Sequence, residues 1–359
     1  MATKSFDKAK RNKADEFYTQ WADIEKEIEA YLEFNPNLFR DKTILCPCDD
    51  PYESNFFKYF ALNFNNFGLK KLIATCYIGS PIANTSENAK TTKTAYKIII
   101  VKVADCNVDG VADFTDIKWL LSNNVNVLTR LEGDGDFRSE EIKDLRDEVD
   151  FVITNPPFSL FREFMAWITE AQKQFLVICN MNAITYKEIF PLIKDNRMWM
   201  GLGFGRSFKG FIVPKSYPLN GSEARIDEHG NRIVSTNNTI WLTNIDHGQR
   251  HKPLQLMTME QNLKSSKHKE IREKQNYDKY DNYDAIEVPF TDAIPSDYDG
   301  AMGVPISFLH KYCPEQFDII KFRKGNDDKD LSIDGRCPYF RILIKNKAMG
   351  DGVKNGQTN

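Results

Sequence analysis

Asn155-Pro156-Pro157-Phe158 joins an amide, two consecutive prolines and an aromatic ring at the end of the apolar run 149–154. Two prolines hold successive φ angles at about −65° and remove two N–H donors, so the segment is stiff and rich in acceptors. It offers a ligand the Asn155 amide, carbonyl oxygens that cannot fold into local ladders, and one flat ring. That inventory suits gripping a planar molecule with an exocyclic amino group. A proline-rich turn after a buried strand would use the same residues, and the tetrapeptide alone leaves both readings open.

Few other segments carry comparable chemistry. Asp105, Asn107, Asp109, Asp113 and Asp116 have the oxygen spacing of a calcium loop and resemble a dockerin repeat. Only one copy is present, its last ligand is Asp, and an Asp-Gly hairpin turn between 97–103 and 111–117 explains it equally, so no metal is assigned. The seven cysteines form no C-x-x-C pairs, and Cys46-Pro47-Cys48 has the wrong spacing for a zinc knuckle. Free thiols, no apolar leader and no apolar run of spanning length point to a reducing cytoplasm and no membrane.

The elements that must position the tetrapeptide follow from hydrophobic periodicity. Residues 1–14 are expected to be a flexible Lys-rich arm. Phe17, Trp21, Ile24, Ile28 and Tyr31 fall at helical spacing over 15–32. Strand-like runs at 43–46, 71–77, 149–154 and 175–179 alternate with helical patterns at 54–65, 160–172 and 185–194. This predicts an α/β doubly wound sheet with ligands above its carboxyl edge. Past residue 200 the texture changes to short strand candidates (209–213, 239–242), a charged stretch over 257–284 that reads as a solvated helix or mobile loop, and two final strands (316–322, 339–344). The expected organisation is a main domain over 15–200, a second region over 201–347 and a disordered tail over 348–359. Residues 201–359 carry 23 Lys+Arg against 21 Asp+Glu, and residues 1–200 carry 25 against 30. A phosphate-binding surface therefore belongs in the second part.

Asn155–Phe158 resembles the catalytic motif of S-adenosylmethionine-dependent amino-methyltransferases, which methylate the amino group of adenine, cytosine, guanine or a glutamine amide. Asp15-Glu16-Phe17-Tyr18-Thr19 resembles the D-E-F-Y-T segment of adenine methyltransferases, which implies cofactor contacts for Phe17, Tyr18 and Thr19. Cys48, Asp49, Asp50, Pro51 and Asn55 stand in the place of the D-P-F-x-G-x-G cofactor loop. Ser54 and Phe56 replace its usual glycines, so this loop must meet methionine differently, through the Asp49 or Asp50 carboxylate and the following helix N-terminus. The second strand ends Cys76-Tyr77-Ile78 without a carboxylate, which leaves ribose recognition unassigned. Gly133-Asp134-Gly135-Asp136-Phe137 supplies a tight turn, acceptors at Asp134 and Asp136 and a covering ring at Phe137. A type I′ hairpin turn is the rival explanation.

With 302–310, 320–325 and 337–345, these motifs look like the EcoRI modification methylase family, from about residue 10 to 347. The resemblance implies a Rossmann-like S-adenosylmethionine-dependent methyltransferase sheet, a C-terminal DNA-recognition region, and methylation at N6 of the inner adenine of GAATTC or a related site by base flipping. Arg206, Phe208, Lys209, Lys215, Arg250, Lys252, Arg323 and Lys324 lie among glycines and aromatics, which suits phosphate contacts and base stacking on double-stranded DNA. A monomer is expected, with a cognate restriction endonuclease acting on the same site but no stable complex. The rivals are an RNA or protein-glutamine methyltransferase and a catalytically silent DNA-binding protein.

Overall fold

Thr43–Cys46 is buried along its whole length and forms the centre of a sheet, as its apolar content requires. The computed structural model describes residues 18–52, 54–78, 95–104, 114–122, 128–204, 207–213, 219, 224–234, 238–323, 331–337 and 340–347. The expected arm, the disordered tail, most of the calcium-like stretch, and Phe17, Arg206, Lys215 and Lys324 lie outside the described residues. The chain forms two units: the described residues up to Ile189 with Met198–Asp246, and Phe190–Arg197 with the residues from His247 onward.

In the first unit, β1 (Tyr18–Thr19) leads into α1 (Trp21–Phe34), β2 (Thr43–Cys46), α2 (Asn55–Leu62), β3 (Lys71–Cys76), β4 (Tyr96–Ile100), α3 (Phe114–Ser122) and β5 (Leu128–Arg130). Then come α4 (Glu140–Glu148), β6 (Phe151–Thr154), α5 (Phe161–Glu170), β7 (Gln174–Asn180) and the strands β8 (Trp199–Phe204), β9 (Phe211–Val213), β10 (Ala224–Ile226), β11 (Arg232–Val234) and β12 (Thr239–Thr243). Eight strands form one mixed sheet in the order β5-β4-β3-β2-β6-β7-β12-β8. Its centre, β3-β2-β6-β7, is parallel. The flanks are antiparallel: β4 against β3 and β5, β12 against β7 and β8. The four strands read from the alternating pattern are the parallel ones, and the antiparallel flanks make the whole sheet mixed α/β. A second sheet, β1-β9-β11-β10, is antiparallel throughout.

The helices form for local reasons. Ile24, Ile28 and Tyr31 give α1 one apolar face, which joins Phe39, Phe56, Phe57, Phe60 and Phe151 in the core. Ser54 and Ser139 cap α2 and α4, and Glu140, Glu141 and Arg146 complement the α4 dipole. The single helix expected over 185–194 is instead helical only at Phe190–Lys194, after a 3₁₀ turn at Met181–Thr185. Pro191 cannot donate to a preceding turn, so a continuous helix is blocked. The expected boundary at 200 falls inside β8 of the first unit.

The second unit holds a sheet ordered β13-β14-β16-β15, from Ala285–Glu287, Ala301–Pro305, Arg341–Asn346 and Phe317–Arg323. Arg341 and Glu287 form a buried ion pair through Nε and Nη2, and the Tyr280 hydroxyl donates to the same carboxylate. A Cβ at Gly303 would overlap that hydroxyl, which accounts for glycine there. The charged stretch 257–284 forms helices Met259–Ser265 and Lys269–Arg272, anchored by buried Asn262, Ile271, Tyr277 and Tyr280. Among the described residues, no helix is long and apolar enough to cross a membrane, and no His, Cys, Asp and Glu side chains group to hold a metal ion.

Candidate active site

The strand order turns at the β2–β6 pair, with β3 on one side and β7 on the other. Such a switch point leaves a crevice beyond the strands' carboxyl ends, because the two connections depart in opposite directions. Residues Pro47–Asp50 leave β2 there, and Asn155–Phe158 leave β6. Asp49 ties the two exits together. Its Oδ2 accepts from Thr154 Oγ1 and its Oδ1 from Ser54 Oγ, each at 2.5 Å. Ser54 Oγ accepts in turn from the Phe56 and Phe57 N–H groups at 3.0 and 3.4 Å. Burial pushes the Asp49 carboxyl up to about 6, against the pull of the two hydroxyl donors. The hydroxyl at Ser54 thus caps α2.

Asp50 faces the other side of the crevice. It accepts from the Tyr96 hydroxyl and the Tyr52 N–H, each at 2.9 Å, and from the Cys76 thiol at 3.6 Å. Burial and the neighbouring Asp50 charge hold the Tyr96 hydroxyl well above its ordinary value. Asn55 Nδ2 donates to the Thr19 carbonyl at 2.7 Å, which links the first turn of α2 to β1. The Thr19 hydroxyl is buried, and among the described residues no group bonds to it. Tyr18 pairs with Ile212 through its backbone, Pro51 is buried and Cys48 half-buried.

The loop 133–137 joins β5 to α4, so the hairpin explanation does not apply. Gly135 has φ +81° and lies against the Cys76 carbonyl so closely that a Cβ would overlap it. Ile78 N–H donates to the Asp134 carbonyl at 2.9 Å, which seats the loop beside the end of β3. Asp136 pairs with Arg138 at 2.6 Å, and Arg138 reaches Glu163 at 2.8 Å. Phe137 is buried and meets Phe164 and Trp167 in T-shaped contacts, centroids 5.0 and 5.8 Å apart.

Within the tetrapeptide, Asn155, Pro156 and Pro157 are buried and Phe158 is half-buried. The Pro157 carbonyl accepts from Leu160 N–H at 3.0 Å, starting the turn into α5. The Phe158 ring meets Phe211 edge to face, centroids 6.3 Å apart at 78°. The structure therefore brings Thr19, Asp49, Asp50, Asn55, the loop 133–137 and Asn155–Phe158 to one edge of one sheet.

The basic and aromatic residues expected to read nucleic acid are more dispersed. Phe208 is buried and stacked on Trp241, centroids 5.7 Å apart at 28°. Lys209 is exposed, and its N–H donates to Asp23. Arg250, Lys252 and Arg323 belong to the second unit. There Arg250 is buried and bonded to Asn196, Lys252 is exposed and Arg323 is half-buried. Periodicity and motif reasoning missed Asp23 and Glu27 of α1, Thr154 and Tyr96. A signal existed for Glu27, which lies three residues after Ile24 and four before Tyr31, on the apolar stripe of its helix.

Comparison with known proteins adds a separate line. The family model described as adenine-specific methyltransferase EcoRI matches residues 5–347. The chain is 52% identical over 342 residues to the type II methyltransferase M.EcoRI of Escherichia coli, spanning 95% of this chain and 96% of that one. It is 34% identical over 360 residues to the type II methyltransferase M.MpnI of Mycoplasma pneumoniae, spanning 95% and 98%. The type II methyltransferase M.MgeORF184P of Mycoplasma genitalium is 31% identical over 358 residues, spanning 95% and 98%. No solved structure matches the chain.

Proposed function

The chain belongs to the adenine-specific methyltransferase EcoRI family, and from this membership we infer that it transfers a methyl group to N6 of adenine in duplex DNA as the modification enzyme of a restriction–modification system. The observation that carries the residue assignment is the junction of Asn155–Phe158 with the Asp49 loop at the switch point of the sheet. The reversed strand β12 between β7 and β8 supports a Rossmann-like methyltransferase sheet.

S-adenosylmethionine, when bound, supplies an electrophilic sulfonium methyl group. The residues at this edge suit it: Asp49 and Asp50 offer carboxylates for its ammonium group, and the buried Thr19 hydroxyl offers a hydrogen bond. We assign Phe17, Tyr18, Thr19, Cys48, Asp49, Asp50, Pro51, Asn55, Asp134, Asp136 and Phe137 to the cofactor side. Asn155 Oδ1 and the Pro156 carbonyl accept the two adenine amino hydrogens, which favours a tetrahedral nitrogen and stabilises the positive charge that develops on it. Phe158 stacks on the base and fixes the line of attack. A paired adenine cannot present N6 to this edge, so the base flips out of the duplex.

The inner adenine of GAATTC is the proposed target, read by the region 201–347 while 15–200 performs transfer. The enzyme works as a cytoplasmic monomer beside a cognate nuclease without a stable complex. The assignment is tested with Asn155→Ala in a labelled-methyl transfer assay, with RNA and a protein glutamine substrate as parallel arms. Turnover on duplex DNA should fall by about 100- to 1,000-fold, the scale for losing one group that stabilises developing charge, with DNA binding retained. Near wild-type turnover removes the role from Asn155, and transfer to RNA or protein instead of DNA overturns the target.

A further inference from the structure

We propose that Asp23 and Glu27 of α1, with Gln20 at its N-cap, are positioning residues for methyl transfer: they hold the main chain at 202–203 and at 209–210 and so set the strand that backs Phe158. Gln20, Asp23 and Glu27 recur at intervals of three and four residues, which places them along one face of the helix. Glu27 engages the backbone of β8, and Asp23 and Gln20 engage the residues just before β9. Glu27 Oε1 accepts from Leu202 N–H at 2.9 Å and Oε2 from Gly203 N–H at 2.7 Å. Asp23 accepts from Lys209 N–H at 3.0 Å, and Gln20 Nε2 donates to the Gly210 carbonyl at 2.9 Å. A Cβ at Gly201 would overlap Glu27 Oε1, so glycine is what lets the carboxylate approach.

The clamped residues 209–210 run straight into β9, whose Phe211 and Ile212 pair with Thr19 and Tyr18. Phe211 is buried, and its ring is the one that meets Phe158. One strut therefore connects both sides of the site: Thr19 on the cofactor side and, through Phe211, the stacking ring on the base side. Two buried carboxylates are a costly way to close a loop, because each must be taken out of water. Apolar contacts would close it as well but would not set its register. Four directed hydrogen bonds, to the backbone of Leu202, Gly203, Lys209 and Gly210, do set it. The basic side chains of Lys26, Lys209 and Arg225 lie close enough to Asp23 to stabilise its charge.

The proposal rests on the reading that Phe158 stacks on the target adenine, so Phe158→Ala is measured beside the clamp variants. The experiment compares steady-state methylation of a GAATTC duplex by the full chain and by Glu27→Gln, Asp23→Asn and Gln20→Ala. It is paired with 2-aminopurine fluorescence at the target position and with thermal melts. We expect kcat to fall by about 100-fold for Glu27→Gln and about tenfold for the other two, with KM for DNA and cofactor within about threefold. The 2-aminopurine signal of flipping should persist, since the base leaves the duplex but is held loosely. Gln20 and Asp23 are less buried than Glu27, so these variants carry the test if Glu27→Gln does not fold. Folded Asp23→Asn and Gln20→Ala with kcat within about twofold of the parent overturn the proposal, as does a loss confined to KM. Normal turnover in Phe158→Ala would instead overturn the stacking role, while the clamp variants still report on positioning.

Discussion

The Ser54 hydroxyl bonds in two directions, and both matter to the site. It donates to Asp49 and accepts from the first N–H groups of α2, so one side chain ends a loop and starts a helix. Ser54→Ala should cost about 1 kcal/mol through the lost cap, visible as a lower Tm. It should also weaken cofactor binding more than DNA binding, because Asp49 loses a donor. Ser54→Gly keeps most of the cap but not that donor. Calorimetric titration showing parental cofactor affinity in Ser54→Gly would mean the Asp49 contact is dispensable. Phe208 makes the opposite point. Stacked on Trp241, it belongs to the core, and Phe208→Ala should cost about 3–5 kcal/mol of stability in a chemical denaturation series. The salt dependence of DNA binding should stay unchanged in the folded fraction.

Helix α1 places a carboxylate where an apolar residue would be expected, and the consequence is a pH dependence. Burial pushes Glu27 up to about 7 from the ordinary 4.5, despite three hydrogen-bond donors and the charge of Lys26. Because the folded state binds this proton more tightly than the unfolded chain, the contribution is complete below pH 4.5. It is lost as pH rises through about 7. The swing is on the order of 3 kcal/mol. Asp49, pushed up to about 6, acts in the same direction. Glu27→Gln has no such proton to lose, so its Tm relative to the parent should rise between pH 5 and pH 8 in parallel thermal melts. A constant difference across that range would mean Glu27 titrates normally. The other helix that departs from expectation, at 190–194, does so for a covalent reason: Pro191 prevents the turn before it from joining.

Across the molecule, the residues proposed to meet DNA divide between two units, Lys209 in the first and Lys252 in the second. Both are exposed, so neutralising either one should lower the salt slope of DNA binding by about one if it meets a phosphate. A slope equal to the parent's for one variant removes that lysine from the interface. What the sequence determined by itself is local. β2 was legible at Thr43–Cys46 because an apolar β-branched run encodes its own burial, and Asn155–Phe158 because its stiffness is covalent. The α1 pattern was legible from Trp21 onward, but not the pairing of Tyr18–Thr19 with 211–212, since that strand has no partner nearby in the chain. The Asp49–Thr154 bond spans 105 positions and the Glu27–Leu202 bond 175. Only the tertiary structure decided these contacts, because they depend on which strands neighbour one another and where glycine permits close approach. A residue's type shows that a carboxylate can accept a hydrogen bond, whereas the order of strands in the sheet selects the donor.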